Sequence, residues 1–121
     1  MKYLTSFIIP VYNAETVIGE CIEHLKKQKG KKEIIVVDDG SLDNTIEIVK
    51  RYNEVKIIRK KHTGVPDTWN LGINNARGNF IALIDSDCYL SDKWLIQCLN
   101  EMNEGYDIIR GCVSYMKPTK Y

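Results

Sequence analysis

Apolar residues follow two different spacings along the chain, and the two spacings alternate. Short runs rich in β-branched residues predict strands at 3–11, 33–39, 55–60, 79–90 and 106–115. After each of the first four runs, apolar residues recur at the spacing of one helical face, beginning with Val17, Ile18, Cys21, Ile22 and Leu25. This alternation predicts right-handed crossovers and a mostly parallel sheet. The expected fold class is α/β, with helices on both faces of the sheet in three α/β/α layers.

Size and charge limit the classes of function. A chain of 121 residues fits one compact domain, spanning 1–121. Its 44% hydrophobic and 27% charged residues are ordinary values for a globular protein. Seventeen basic and sixteen acidic side chains give a net charge of +1, so we expect no nucleic-acid partner. The lysine-rich segment 26–32 is interpreted as a solvated helix end, and contact with an anionic lipid or substrate is left open.

Cysteine usage and the apolar segments bear on the compartment. The cysteines show no C-x-x-C spacing, and neither histidine pairs with them in a metal-ligand pattern. Buried thiols predict a reducing, cytoplasmic compartment, with a position at the inner membrane surface left open; disulfide pairing in a secreted protein is the alternative. Thr5, Ser6 and Pro10 interrupt the apolar start, which is interpreted as a strand. Apolar segments in the sequence fall short of the roughly 20 residues of a membrane-spanning helix.

Polar residues gather where predicted strands end. "PVYNAE" closes the first strand, "DDGSLDN" the second and "DSDCY" the fourth. Ligands of parallel sheets bind beyond the carboxyl ends of the strands. With one residue between them, Asp85 and Asp87 could both approach one hard cation, such as Mg²⁺ or Mn²⁺, that is shared with substrate phosphates. Taken singly, each cluster also fits turn or capping chemistry, with Asn13 or Ser41 as caps. Three such clusters together favour a ligand site.

Several nucleotide and hydrolase motifs are absent from the sequence. Neither G-x-G-x-x-G after the first strand nor a P-loop is present, which disfavours NAD and P-loop chemistry. A glycine- and arginine-rich phosphate loop is missing as well, which disfavours a sugar nucleotidyltransferase. No Ser-His-Asp arrangement is evident, because His24 falls within a helix and His62 in a basic loop. Both histidines are interpreted as surface residues.

Three segments together resemble a known family. "FIIPVYNAE", "EIIVVDDGSLDNT" and "GVPDTWNLGINNARGNFIALIDSDCYL" match, in order and spacing, the start of family 2 glycosyltransferases, and the resemblance covers nearly all of residues 4–100. It implies a Rossmann-like fold of the nucleotide-diphospho-sugar transferase type. It also implies inverting transfer of a sugar from a nucleotide-diphosphate donor, commonly a UDP-sugar, to a glycan, lipid or protein acceptor, with Mg²⁺ or Mn²⁺ as cofactor.

The resemblance also implies roles for individual residues. Asp39 matches the acid that hydrogen-bonds the base, commonly uracil. Of the Asp-x-Asp pair, Asp85 matches the acid that approaches the sugar or ribose, and Asp87 the one that binds the metal on the diphosphate. The positions implied for nucleotide binding are Pro10, Tyr12, Asn13, Glu15, Asp38, Asp39 and Asp85, and those implied for the metal are Asp87 and Asp85.

The sequence departs from the family pattern in two respects. Trp69 stands where the family often has arginine, which either removes a cationic contact to the nucleotide or packs the helix. Relatives are expected to be about twice as long, with an acceptor site and a general base in their second half. We therefore expect a truncated N-terminal half that binds the nucleotide sugar. No residue matches the base, and Glu104 and Asp107 are guesses. The alternative function is a non-catalytic nucleotide-sugar-binding or interaction module, with homo-oligomerisation left open.

Overall fold

The computed structural model describes residues 3–111 and 114–115 of the chain. In chain order the elements are β1 (Leu4–Val11), α1 (Ile18–Lys26), β2 (Lys31–Asp38), α2 (Thr45–Val49), β3 (Val55–Arg59), α3 (Val65–Asn74), β4 (Phe80–Leu83), β5 (Cys88–Tyr89), α4 (Trp94–Asn103) and β6 (Ser114–Tyr115). The predicted alternation of strands and helices is confirmed as far as α4.

Four parallel strands form the main sheet in the order β3-β2-β1-β4. β1 pairs with β2 in a register that sets Val11 opposite Asp38, and with β4 in a register that sets Ile8 opposite Leu83. The apolar runs of the two central strands, β1 and β2, are buried because the sheet is covered on both sides. Since the strands are parallel, their carboxyl ends all lie at the same end of the sheet, and the polar clusters that follow them meet there.

Helices cover both faces of this sheet, which confirms the three-layer α/β/α arrangement. On one face, α3 and the turn after it contribute Trp69, Leu71 and Ala76, which pack against Ile8, Ile35 and Val37. The opposite face carries the larger core, in which Phe7, Ile9 and Val36 of the strands pack with apolar residues of α1, α2 and α4, including Ile18, Ile22, Leu25, Val49 and Leu95.

The segment predicted as one strand over 79–90 is divided in the structure. β4 ends at Leu83, the chain then turns, and the backbone N–H of Cys88 donates to the carbonyl of Asp85 at 3.1 Å. β4 is only partly buried, because it is an outer strand of the sheet within the described chain, with Ile81 42% and Leu83 51% exposed. The turn between β4 and β5 therefore presents both acids of the Asp-x-Asp pair.

The last predicted strand, 106–115, is also shorter than expected. Residues 106–111 form no ladder, and β6 pairs antiparallel with β5, with Cys88 opposite Tyr115. Residues 112–113 lie outside the described part of the chain, as does the predicted buried thiol of Cys112.

The lysine-rich segment 26–32 runs from the last residue of α1 to the first residues of β2, at the end of the sheet opposite the carboxyl ends of the strands. Lys26 pairs with Glu54 at 3.0 Å, and Lys32 Nζ donates to the backbone carbonyl of Gln28 at 2.6 Å. These contacts agree with a helix end in solvent. Within 3–111 and 114–115, no helix has the length and apolar character needed to cross a membrane.

Gln28 joins α1 to the start of α4. Its Nε2 donates to the Ser91 carbonyl at 2.7 Å, and its Oε1 accepts from the backbone N–H of Leu95 at 3.0 Å. Gln28→Leu would leave this N–H buried without its acceptor, so we expect the free energy of unfolding to fall by about 1–2 kcal/mol. Urea denaturation would measure the change.

The matched control for this prediction is Gln97→Leu, on an exposed position of α4. It should change stability by less than about 0.5 kcal/mol. Equal losses from both substitutions would contradict a specific role for Gln28.

Candidate functional site

The carboxyl ends of β1, β2 and β4 border a cleft of about 450 Å³. Six of the eight residues implied by the family resemblance line it: Pro10, Tyr12, Asn13, Asp39, Asp85 and Asp87. A second cavity of about 390 Å³ lies between β4 and α4, has a mainly apolar lining and shares Asp85 with the cleft. Because polar side chains from three strand ends converge in the first cleft, it is the candidate site.

The loop after β1 is fastened to the loop after β2 by hydrogen bonds between backbone N–H groups and side-chain oxygens. The bonds are Asn13 N to Ser41 Oγ (2.8 Å), Ala14 N to Thr45 Oγ1 (2.8 Å), Glu15 N to Asp43 Oδ2 (3.2 Å), Leu42 N to Asn13 Oδ1 (2.8 Å) and Asn44 N to Glu15 Oε2 (3.0 Å). Asn13 has a φ of 50°, a left-handed conformation that asparagine tolerates better than most residues. These hydrogen bonds between the two loops thus hold in place the wall of the cleft that carries Tyr12.

Asp39 is 4% exposed, and several donors surround its carboxylate. Lys60 Nζ and the backbone N–H of Thr63 (3.0 Å) donate to Oδ1, and the backbone N–H of Gly64 donates to Oδ2 at 3.2 Å. Burial alone would raise the pKa of Asp39, but these hydrogen bonds and the positive charge of Lys60 outweigh it and lower the pKa from 3.8 to about 2. At neutral pH the group is therefore a carboxylate that accepts hydrogen bonds.

Two implied residues lie outside the cleft lining. Asp38 is 1% exposed; its carboxylate accepts the backbone N–H of Ser41 at 3.3 Å and lies 3.8 Å from Arg59 Nε. The carboxylate of Glu15 accepts a hydrogen bond from the backbone N–H of Asn44. Both residues shape the loops that border the cleft, and their direct contact with a nucleotide stays a prediction.

The family resemblance did not identify the contribution of β3. Lys60, His62, Thr63 and Gly64 follow this strand and contact Asp39, and the ring of His62 stacks on Tyr12 with centroids 4.2 Å apart. The interpretation of His62 as a surface residue is incomplete, because its side chain is 57% exposed but holds these two contacts. The sequence contained the indication: Lys60 closes a predicted strand of the same sheet and "KHTG" follows it, so these polar residues belong at the end of the sheet that carries the cleft.

The turn after β4 groups possible metal ligands. One carboxylate oxygen each from Asp85 and Asp87 and the Sγ of Cys88 lie within 4.8 Å of one another. Carboxylate oxygens are the ligands that Mg²⁺ and Mn²⁺ prefer, whereas sulfur suits softer metals. The two acids therefore fit a hard divalent cation that takes its remaining ligands from water and phosphate oxygens.

Cys21 lies beneath this turn, and its Sγ is 3.8 Å from the carbonyl of Asp85. Burial, together with smaller contributions from the nearby Cys88, Asp87 and Asp85, raises its pKa to about 12. Cys21 is therefore a protonated thiol at neutral pH, in agreement with the predicted buried cysteines.

Trp69 packs against the apolar cluster of Ile8, Ile35 and Val37 under α3. Of the two interpretations given to it, the structure supports packing of the helix. Where the family often has a cation, this chain has a partly buried aromatic side chain.

Comparison with known proteins assigns the family. The sequence model described as Glycosyl transferase family 2 matches residues 6–118. The chain belongs to glycosyl transferase family 2. Among curated relatives, glycosyltransferase GlyG of Streptococcus pneumoniae serotype 4 is 34% identical over 110 residues, which are 86% of this chain and 36% of that protein.

Solved structures of similar proteins confirm the fold. The S. aureus TarS fragment 1–349, in complex with UDP, has a TM-score of 0.77 and 32% identity over 83% of this chain and 32% of that chain. The mannosyltransferase PcManGT of Pyrobaculum calidifontis, in complex with GDP-Man and Mn²⁺, has a TM-score of 0.77 and 23% identity over 82% of this chain and 32% of its own, and so shows a common fold. The chain spans about a third of the length of several curated relatives, including GlyG, and less than a fifth of the length of others.

Proposed function

We propose that this chain binds a nucleoside-diphosphate sugar, with a UDP-sugar as donor, and serves transfer of the sugar to an acceptor hydroxyl. One observation carries the proposal: the same cleft contains Tyr12 and Asp39, which directly follow β1 and β2, and Asp85 and Asp87 after β4. An aromatic ring with a hydrogen-bond acceptor suits a nucleobase, and paired carboxylates suit a cation on a diphosphate. The similarity to UDP-bound TarS supports uracil as the base.

The two ends of the cleft would bind different parts of the donor, the base end the uracil and the other end the diphosphate with its metal. Asp39, a carboxylate at neutral pH, would accept the ring N–H of uracil, and the ring of Tyr12 would stack on the base. Asp85 and Asp87 would hold Mg²⁺ or Mn²⁺, which when bound supplies Lewis-acid stabilisation of the negative charge on the departing UDP. The loop contacts of Asn13 and Glu15 keep the base end in place.

The proposed transfer is inverting. The acceptor oxygen attacks the anomeric carbon while the bond from that carbon to the β-phosphate oxygen breaks, and the acceptor proton passes to a base. Glu104 and Asp107 are outside the residues that line the cleft, and Asp107 borders the apolar cavity instead. Neither guess at the base is therefore adopted, and the catalytic base has no assignment within the described chain.

A donor-binding module without transferase activity is the second candidate. The acids that line the described cleft are Asp39, Asp85 and Asp87, and each already has a proposed role in binding the nucleobase or the metal. None of the three is left to act as the catalytic base, which favours this candidate. Incubation with UDP-glucose and related donors decides between the candidates: release of UDP above the rate without protein supports transfer or hydrolysis, and binding without release supports the module.

Calorimetric titration with UDP tests the donor site. We expect Mn²⁺ to strengthen UDP binding, and Asp87→Asn to weaken binding in the presence of Mn²⁺ by roughly 10- to 100-fold, because a ligand of the ion is lost. Binding without metal should change little in this variant.

The matched control is Asp92→Asn, an exposed acid a few residues further along the chain. It should leave both affinities unchanged. UDP binding that is indifferent to Mn²⁺ would contradict the metal site but retain the nucleotide site, whereas no UDP binding at all would contradict both.

A further inference from the structure

His62 makes two contacts at the mouth of the cleft that the proposed function does not use. Its Nδ1 lies 2.9 Å from Asp39 Oδ2 and 3.1 Å from the backbone carbonyl of the same residue. Its ring stacks on Tyr12, with the two planes at 25° and the centroids 4.2 Å apart. Tyr12 and Asp39 are the same two groups that are proposed to hold the nucleobase.

The carboxylate of Asp39 has limited capacity for a further donor. An ionised carboxylate offers about four lone-pair positions. In this chain Lys60 Nζ and the N–H groups of Thr63 and Gly64 donate to it, and His62 Nδ1 lies 2.9 Å from Oδ2. A nucleobase N–H can therefore be accepted in full when one of these donors leaves.

Among these donors, His62 is the one that can leave at low cost. The N–H groups of Thr63 and Gly64 belong to the backbone immediately before α3, and Gly64 is the residue that precedes its first turn. The side chain of Lys60 is 13% exposed and also donates to the Lys61 carbonyl and to Thr63 Oγ1. The side chain of His62 is 57% exposed, so it can rotate into water.

We propose that His62 competes with the nucleobase for Asp39 and Tyr12, and that a uracil nucleotide binds by displacing the His62 imidazole from both. This inference rests on the proposed function. The imidazole and uracil share the required features, a planar ring that stacks on Tyr12 and a ring N–H that reaches the carboxylate. His62 is therefore a residue that sets donor affinity, and its contacts define the position of the base.

The affinity of UDP for His62→Ala tests the competition. Because the competing state loses its polar contact with Asp39 and its ring stack, we expect UDP binding about tenfold tighter than in the unchanged chain, measured by calorimetry with Mn²⁺ present. His62→Phe keeps a ring on Tyr12 without the N–H, so its gain should be smaller. His24→Ala removes the other histidine of the chain, which lies on α1, and should leave UDP affinity unchanged. Unchanged or weaker binding by His62→Ala would overturn the proposal.

A second measurement follows the displacement directly. The chain has two histidines, so the ring-proton resonances of His62 are identified in an NMR spectrum by their absence from His62→Ala. Saturating UDP should move them downfield as the ring leaves Tyr12, while the His24 resonances stay in place. If UDP binds and the His62 resonances do not move, the competition is refuted while the donor site stands. If neither the chain nor His62→Ala binds UDP, the proposed function fails as well.

Discussion

Asp39→Ala should lower the free energy of unfolding by about 2–4 kcal/mol, in addition to its effect on nucleotide binding. The substitution leaves the ammonium of Lys60, whose side chain is 13% exposed, without its carboxylate. It also leaves the N–H groups of Thr63 and Gly64 without their acceptor. Urea or guanidinium denaturation of both proteins at neutral pH would measure the difference.

Two further variants separate this local effect from a general one. Asp67→Ala removes an exposed acid from the first turn of α3 and should cost less than about 1 kcal/mol. The double variant Asp39→Ala with Lys60→Met should regain part of the loss, because the unpaired charge is removed with its partner. A double variant that loses the sum of both single effects would show that Asp39 and Lys60 do not interact.

The cost of Asp39→Ala should also depend on pH. The pKa of Asp39 is depressed in the folded chain, from 3.8 to about 2, so its ionised form contributes stability above pH 3.8. That contribution is lost as pH falls through about 2, where the folded chain also takes up the proton. The difference in unfolding free energy between the two proteins should therefore narrow between pH 4 and pH 2, and a constant difference would contradict the pKa shift.

Gly72→Ala should destabilise the fold by about 2–3 kcal/mol, although alanine is the better helix former by about 1 kcal/mol. A Cβ at position 72 would lie 2.3 Å from Ile8 Cγ2 and 3.1 Å from Val37 Cγ2, where α3 packs closely on β1 and β2. Because real Cβ atoms do not approach this closely, α3 would have to move away from the sheet. Denaturant unfolding gives the free-energy change.

Gly19→Ala in α1 is the matched comparison. Its Cβ would meet Ile48 Cγ2 at 3.5 Å, an ordinary van der Waals contact, so the gain in helix propensity should prevail and stabilise the chain by about 0.5 kcal/mol. Two glycines within helices should thus respond with opposite signs. If Gly72→Ala also stabilises the chain, the close approach of α3 to the sheet is wrong.

Local periodicity was sufficient to predict the α/β class and the end of the sheet at which the candidate site lies. Buried parallel strands need continuous apolar runs, helices between them need apolar residues on one face, and parallel strands all end on the same side. The polar motifs after β1, β2 and β4 therefore had to converge, and the cleft confirms that Pro10, Tyr12, Asn13, Asp39, Asp85 and Asp87 do so.

Packing across the fold decided the remaining features, because they depend on residues far apart in sequence. Neighbouring residues of a strand point to opposite faces, and pairing with β1 and β3 determines which of Asp38 and Asp39 enters the cleft. Whether Lys60 and His62 reach Asp39 depends on the β3–α3 connection folding back over the end of β2. The close contact at Gly72 likewise follows from the distance between a helix and a sheet, which no spacing within either element specifies.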